Sequence, residues 1–514
     1  MEDGRTLHQG WSPQCERQPR SDNAEWGVLR TTAIQPGEFR PEHNKRLPSI
    51  LAPRQQIEVK AGDILITCAG PRSRCGVSCL VRTTPPRLMI SGKMYRFRVP
   101  EDHLESRFLE AFLRSPAARE AIDGMKTGGS DSGLNLTHER FLRLMVPVAS
   151  LDEQRRIVEA LEEVSSDLDA GVAALERVRE RLSLYRASVL KSAVEGALTV
   201  EWRAQHPDAE PATQLLKRIL AERRCRWEED QLTQFKAKGR EPPHHWNAKY
   251  KEPVAADTTN LPPLPAGWCW ATVDQCAALV QYGSSAKTGD DLRGIPVLRM
   301  GNLTTDGRLA TDAMKYLPPS HHEFPSLLLR PGDLLFNRTN SADLVGKTAL
   351  YSGTPSPCSF ASYLIRVRLL EWVIPQWLVY VLTGGFGRAW VKRVANQTVG
   401  QANVNGAKLA AFSFPLPSLP EQEAITEVVE DQFSVIDHLE ADLGAKLKSS
   451  LGLQRAVLRH AFSGQLVAQN PKDDPASELL KRIVAERETR SHDYTAKKRA
   501  AGGLRGRSKK GKLL

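Results

Sequence analysis

No stretch of this 514-residue chain approaches the ~18 consecutive apolar residues needed to cross a bilayer. The first residues, MEDGRTLHQG, also lack the basic and apolar regions of a secretory signal. The expectation is a cytoplasmic protein with no membrane attachment. Cysteine is sparse: eight residues, at 15, 68, 75, 79, 225, 269, 276 and 358, with no C-x-x-C pair. The Cys68, Cys75, Cys79 cluster has neither zinc-ligand spacing nor a neighbouring histidine, so free thiols are expected rather than a metal module or a disulfide framework. Catalytic signatures are missing too. A phosphate loop needs glycine at both ends of G-x-x-x-x-G-K, and the nearest approach, Ser341 to Thr348 (SADLVGKT), begins with serine. There is no N/D-P-P-aromatic tetrapeptide to hold a flipped base, and no H-E-x-x-H, G-x-S-x-G or zinc-finger pattern. These absences argue against a nucleotide hydrolase, a protease and a self-contained amino-methyltransferase, and leave no catalytic centre to propose.

Acid is absent from the last twenty residues. Thr495 to Leu514 holds eight basic side chains (Lys497, Lys498, Arg499, Arg505, Arg507, Lys509, Lys510 and Lys512) and no carboxylate. Taking those eight from the net charge of +11 leaves +3 for the other 494 residues. The segment 495–514 reads as a solvated basic tail, and global charge is weak ground for inferring what the folded body binds.

What the chain does have is a duplication. Val146 to Ile157 (VPVASLDEQRRI) returns as Phe414 to Ile425 (FPLPSLPEQEAI), and Val189 to Leu198 (VLKSAVEGAL) returns as Val457 to Leu466 (VLRHAFSGQL), both 268 residues on. Ala212 to Arg224 returns as Ala476 to Glu488 at an offset of 264, and GDILIT from Gly62 answers GDLLFN from Gly332. Short solenoid repeats need three or more copies to bury a face. Two copies this long instead imply two domain pairs and pseudo-two-fold symmetry, suited to gripping something with two similar ends.

Leu151 to Val194 reads as one long helix. Ile157, Leu161, Val164, Leu168, Val172, Leu175, Val178, Leu182, Tyr185 and Val189 recur every three or four residues, with Glu and Arg between them. That is a coiled-coil seam, repeated from Ile425 through Val457. A 44-residue helix is roughly 65 Å long. Pro147 and Pro417 precede the two helices, and a further helix is expected from Ala212 to Trp227 or beyond. Residues 231–260, rich in Pro, His, Lys and Asn, read as an extended linker. The segments before each long helix carry short β-rich runs (Ile64 to Thr67, Tyr95 to Val99, Leu334 to Phe336, Tyr363 to Arg368) and one or two helices (Ser106 to Arg114, Pro375 to Leu382). The expected fold class is α+β, with two globular domains separated by two long helices that each carry a coiled-coil seam. Boundaries fall at 1–150, 151–230, 231–260, 261–418, 419–494 and 495–514.

Two variable domains, each followed by a Glu-Gln helix start (Glu153–Gln154, Glu421–Gln422) and a V-L-K/R-x-A-x-x-G-x-L helix end, resemble the DNA-specificity subunit of type I restriction–modification systems. The LPAGW opening at Leu264 to Trp268 adds to the likeness, which covers nearly the whole chain. The resemblance implies a non-catalytic subunit whose two target-recognition domains each read half of a split site in double-stranded DNA, with the two long helices pairing as an antiparallel coiled coil that serves as a ruler. It also implies methyltransferase (M) subunits, two of them, and restriction/translocase (R) subunits as partners, with S-adenosylmethionine, ATP and magnesium on those partners and no cofactor here. A scaffold whose heads bind protein is the alternative. At the repeat offset, the counterpart of the LPAGW opening falls before Met1, so the first domain is expected to lack its opening strand unless the chain extends upstream or the distal end completes it.

Base edges are read by Arg, Lys, Asn and Gln, and phosphates by Lys, Arg, Ser, Thr and backbone amides. The richest loop after GDLLF holds Asn337, Arg338, Thr339, Asn340 and Ser341, followed by Lys347. Its first-domain equivalent holds Arg72, Ser73 and Arg74, and a second polar stretch before each long helix offers Lys126 and then Arg393, Asn396 and Gln397. Asn135 and Asn403, which follow, are expected as turn or capping residues. Glu153, Gln154, Glu421 and Gln422 are candidates for docking the methyltransferase, in competition with a role in starting the helix.

Overall fold

The computed structural model describes residues 7–100, 102–398 and 401–489; the basic tail lies outside them. The chain divides into two compact units, residues 1–176 with 444–514, and residues 177–443.

In the first unit a four-stranded antiparallel sheet runs in the order His8–Gln9, Met94–Phe97, Ile64–Thr67, Ser78–Leu80. A three-stranded sheet, Asn44–Arg46, Gly27–Leu29, Leu88–Met89, includes one parallel pair. In the second unit the larger sheet is Ala277–Tyr282, Leu364–Leu369, Leu334–Asn337, Thr348–Leu350, and the smaller is Lys315–Leu317, Ile295–Leu298, Ser359–Phe360. Order and direction are the same in both. The helix pair Ser106–Arg114 and Pro116–Met125 corresponds to Pro375–Thr383 and Gly385–Val394. The heads, whose sequences have drifted furthest, therefore share one α+β fold.

The shared GD motif has a structural cause. Gly62 and Gly332 have φ of +85° and +89°, where a side chain is strained. The aspartates that follow are buried and cap the same turn: Asp63 Oδ2 accepts from Lys60 N (2.7 Å), and Asp333 Oδ2 from Arg330 N (2.8 Å). Each is also neutralised across the sheet, by Arg98 (2.9 Å) and Arg368 (2.6 Å).

The long helices are Leu151–Val194 and Leu419–Phe462. Within the first unit, Ile157, Val158 and Leu161 pack with Leu458 and Ala461. Within the second, Val189 and Leu190 share a core with Ile425, Val429, Phe433 and Ile436, Tyr185 Oη donates to Gln432 (2.5 Å), and Arg186 pairs with Asp437 (2.5 Å). In both units the early part of one helix meets the late part of the other, the antiparallel pairing expected of the seam. Burial along the seam is uneven: Val178, Leu184 and Tyr185 remain exposed on the first helix, and Leu439, Leu451 and Leu453 on the second.

The helix expected from Ala212 to Trp227 or beyond runs to Ala237, so residues 231–237 of the expected linker are helical, and the rest of that segment packs back on the helix. Trp246 stacks on Trp227 (5.9 Å between centroids), and Tyr250 meets Trp227 edge-on at 5.4 Å. Aromatic burial against the helix outweighs the polar composition that suggested an open tether.

The Glu-Gln pair explains how each head is fixed to its helix. Gln154 is fully buried; its Oε1 accepts from Glu105 N (2.9 Å) and its Nε2 donates to Ala149 O (2.9 Å) and His103 O (3.5 Å). Gln422, also fully buried, accepts from Ile374 N (2.9 Å) and donates to Pro417 O (3.1 Å) and Trp372 O (3.5 Å). Replacing Gln422 with Ala strands these backbone groups in a dry site, a loss of about 1–3 kcal/mol. Urea unfolding of the Gln422→Ala chain should show that loss, and Gln422→Glu, which sets a carboxylate oxygen against the Pro417 and Trp372 carbonyls, should lose at least as much.

Candidate nucleic-acid interface

Two polar stretches in each head, far apart in sequence, meet in space. In the second unit, Thr339–Asn340 pairs with Gln401–Asn403, which pairs with Asn396–Thr398. In the first, Ala69–Gly70 pairs with Leu134–Asn135, and Arg72 N donates to Asp131 O (2.8 Å). Asn135 and Asn403 are thus strand residues, correcting the turn or cap expected of them. The Asn403 side chain donates to Thr339 Oγ1 (2.7 Å), a cross-strand bond that a short amide can make without leaving the ladder.

Arg338 follows directly after the buried strand Leu334–Asn337. Its N–H donates to Tyr363 O (3.0 Å) and its carbonyl accepts from Val404 N (2.8 Å), so its backbone is pinned on both sides. The half-buried guanidinium lies over the Tyr282 ring, 4.8 Å from the centroid, a cation–π arrangement that orients it. Tyr282 is fixed in turn, its hydroxyl accepting from Gly406 N (2.6 Å). Ser341 and Arg393 are exposed nearby in sequence to this sheet, and Asn340 is half-buried with its Oδ1 accepting from Ser341 N (2.9 Å). Asn396 is exposed and accepts from Lys408 Nζ (2.7 Å). Of Gln397, the backbone in its strand is described and the side chain is not.

Other expected contacts face inward. Asn337 is fully buried, its amide donating to Leu344 O (3.3 Å), and Thr339 is buried by its strand partners. Lys347 Nζ donates to the Leu303 carbonyl, and burial lowers its pKa from the ordinary lysine value. In the first unit, Arg74 bonds to the carbonyls of Thr31 (2.5 Å) and Ile34 (2.7 Å) and to Gln35 (3.1 Å). The Lys126 side chain is 5% exposed, with Asp123 and the Arg72 carbonyl as partners. These five side chains hold the loops in shape, and as placed they do not present themselves to a ligand. Arg72 and Ser73 do lie on the surface, Arg72 paired with the exposed Asp131 at 2.9 Å.

The docking role expected of the Glu-Gln pairs is likewise corrected for three of the four residues. Gln154 and Gln422 are enclosed as described above. Glu421 is buried, accepting from Thr199 Oγ1 (2.7 Å), Arg203 (2.6 Å) and Trp268 Nε1 (2.8 Å). Buried at 3% exposure and holding three internal donors, this carboxylate is not presented to a partner. Glu153 is half-buried and accepts from Gln469 (2.5 Å).

Sequence reasoning missed Tyr282, Tyr363 and Lys408. Each is distant in sequence from the loop it serves, and only the aromatic character of the tyrosines could have drawn notice. The SADLVGKT segment runs into strand Thr348–Leu350 rather than a helix, so its backbone amides do not form a phosphate cradle at a helix start. No cluster of potential metal ligands occurs among the described residues, and no helix there is long and apolar enough to cross a membrane. All eight cysteines are unpaired; burial pushes the Cys68 thiol up to about 11 and that of Cys358 up to about 12, the behaviour of small apolar core residues.

No family model matches the chain. Among individual proteins, it is 34% identical over 184 residues to the Escherichia coli "Type I restriction enzyme EcoEI specificity subunit", a match spanning 36% of this chain and 31% of the relative. It is 25% identical to the StySPI specificity subunit of Salmonella potsdam, over 92% of this chain and 91% of the relative. It is 24% identical to the EcoKI specificity subunit of Escherichia coli K12, over 90% and 88% respectively. In structure it resembles a chain of a solved type I R-M system with a TM-score of 0.56 at 16% identity, covering 89% of this chain and 97% of that one. The resemblance read from the sequence is borne out, and the fold with it.

Proposed function

We infer that this chain is the non-catalytic specificity subunit of a type I restriction–modification system, binding a bipartite DNA sequence and directing methyltransferase and restriction subunits to it. The observation that carries this reading is the duplicated head. Two copies of one fold each join the same two polar stretches through a small sheet, one presenting Arg72 and Ser73, the other Arg338, Asn340, Ser341, Arg393 and Asn396.

Each head would read one half-site. Arg338 is the strongest candidate for base readout, because its backbone is pinned and its guanidinium oriented before DNA arrives. Arg72, Ser341 and Arg393 fit phosphate contact. The paired helices set the gap between half-sites. Two methyltransferase subunits, one per half, would dock on the helices, where exposed apolar side chains such as Val178, Leu184, Leu451 and Leu453 offer contact that the enclosed Glu-Gln pairs do not. S-adenosylmethionine, ATP and magnesium would belong to the partner subunits, and the complex would act in the cytoplasm.

Arg338→Ala should weaken specific binding by roughly 5- to 150-fold, the loss of about 1–3 kcal/mol typical of a bidentate Arg–guanine contact, and relax one position of the second half-site. Lys347→Ala should instead lower stability and leave the motif unchanged. Deleting residues 495–514 should reduce non-specific affinity and its salt dependence alone. A binding selection on randomised DNA at two salt concentrations separates the three; Arg338→Ala weakening every sequence alike would mark a phosphate contact.

For the modular geometry, exchanging residues 1–146 for a homologous head should change one half-site of the methylated motif. Inserting four residues, about 6 Å, early in either long helix should change the gap and keep both half-sites. Methylation-sensitive sequencing of a host carrying the complete complex reads both; an unchanged gap with activity intact would sink the ruler.

A further inference from the structure

The two heads carry different side chains on one backbone. Cys68 and Arg338 each stand six residues past the glycine of their GD turn. Cys68 N donates to Lys93 O and its carbonyl accepts from Leu136 N, both at 2.8 Å. Arg338 N likewise donates to Tyr363 O (3.0 Å) and its carbonyl accepts from Val404 N (2.8 Å). Lys93 and Tyr363 therefore hold one position of the fold. Gln9 and Tyr282 hold another, paired across the sheet with Tyr95 and Ile365. The next residues, Gly10 and Gly283, make the same close approach: a Cβ on either would stand between 2.2 and 2.5 Å from two carbonyl oxygens, those of Ile90 and Ser91 or of Phe360 and Ala361.

The side chains gathered there differ in kind. In the second head the cation is Arg338, half-buried on the Tyr282 ring, and Tyr363 beside it is 50% exposed. In the first head the Arg338 position is Cys68, 4% exposed, whose thiol burial pushes up to about 11, so it offers a ligand nothing. The cation stands instead at Lys93, which is exposed. Among the described residues no hydrogen bond or ion pair engages its ammonium. Its backbone, in contrast, is held on all sides. Met94 N donates to Ser91 O (3.0 Å), Gly92 N to Ser12 Oγ (3.0 Å), and Gln9 Nε2 to Gly92 O (2.9 Å). With the Cys68 bond, every carbonyl from Ser91 to Lys93 is tied, in a turn whose own sequence, Ser-Gly-Lys, confers no stiffness. A lysine that serves solubility needs no such clamp, whereas one that must meet a particular atom of a ligand does.

We propose that Lys93 is the base-reading cation of the first head, with Gln9 as the residue that positions its turn. This rests on the specificity-subunit reading above and names the group through which the first half-site is read. A lysine ammonium is a point charge with three donors on a four-carbon stem. It meets the O6 and N7 acceptors of guanine in the major groove as arginine does, without the planar fork.

The test is a binding selection on randomised DNA at two salt concentrations, with the full chain and its Lys93→Ala, Lys93→Arg and Gln9→Ala variants. Lys93→Ala should weaken specific binding by roughly 5- to 150-fold and relax one position, in the half-site that exchange of residues 1–146 alters. Lys93→Arg, which keeps a donor cation, should retain a preference there, and Gln9→Ala should relax the same position by less. The urea midpoint of Lys93→Ala should match that of the unaltered chain, since the side chain engages nothing within the protein. Should Gln9→Ala fail to fold, Lys93→Ala, which removes no internal bond, decides alone. Equal weakening of all sequences by Lys93→Ala, with the salt slope lowered by about one, marks a phosphate contact and overturns the proposal. Relaxation confined to the other half-site overturns it as well. A bipartite motif that Lys93→Ala leaves intact overturns the assignment of Lys93 alone, whereas an unaltered chain that enriches no bipartite motif overturns the specificity-subunit reading and this one with it.

Discussion

A single buried amide near the start of each long helix holds the architecture together. Gln154 and Gln422 each accept one backbone N–H from the segment leading into the head's first helix and donate to two carbonyls, one on that segment and one just before the long helix. Three bonds from one side chain, in a site closed to water, fix the angle at which a head leaves its helix. A glutamate could not donate, an asparagine could not span both segments, and an apolar residue would orphan all three backbone groups. Because the head-side partners are main-chain atoms, the joint is indifferent to most side chains of the head it holds. That is a physical reason for the two head sequences to diverge while the helix starts keep their Glu-Gln.

Much of the fold was legible because its strongest signals are periodic or conformationally forced. The apolar recurrence from Ile157 to Val189 located the first long helix at its observed bounds, and Ser106–Arg114 was likewise read to the residue. The GD repeat was visible because a positive φ and a buried turn-capping carboxylate leave few alternatives at Gly62–Asp63 and Gly332–Asp333. Composition placed the linker start at 231, inside a helix that runs to Ala237, since it reports solvation and says nothing of Trp246 finding Trp227.

The candidate site was legible as a pair of loops and illegible as a set of orientations. Sequence gives the donor inventory of NRTNS, and alternation along a strand decides which donors face the core. Asn337 falls on the inward side and the half-buried Arg338 lies on the Tyr282 ring; Lys347 and Lys126, basic and loop-borne, turn back to carbonyls. Such choices depend on partners such as Leu303 and Arg72, dozens of residues away, which no local pattern encodes.

The ion pair between Arg72 and Asp131 sets the two heads apart in a way that bears on how the molecule searches DNA. Arg72 rests against an anion already, at 2.9 Å on an exposed surface, whereas Arg338 rests on a neutral ring. A phosphate meeting Arg72 exchanges one anionic partner for another and must leave Asp131 facing the duplex, so the gain is small and the carboxylate opposes close approach. At Arg338 no carboxylate among the described residues pairs with the guanidinium, which lies half-buried on the ring. On the proposed reading, the first head would therefore have to displace Asp131 before Arg72 could take another anion, whereas the second would give up no anionic partner at Arg338.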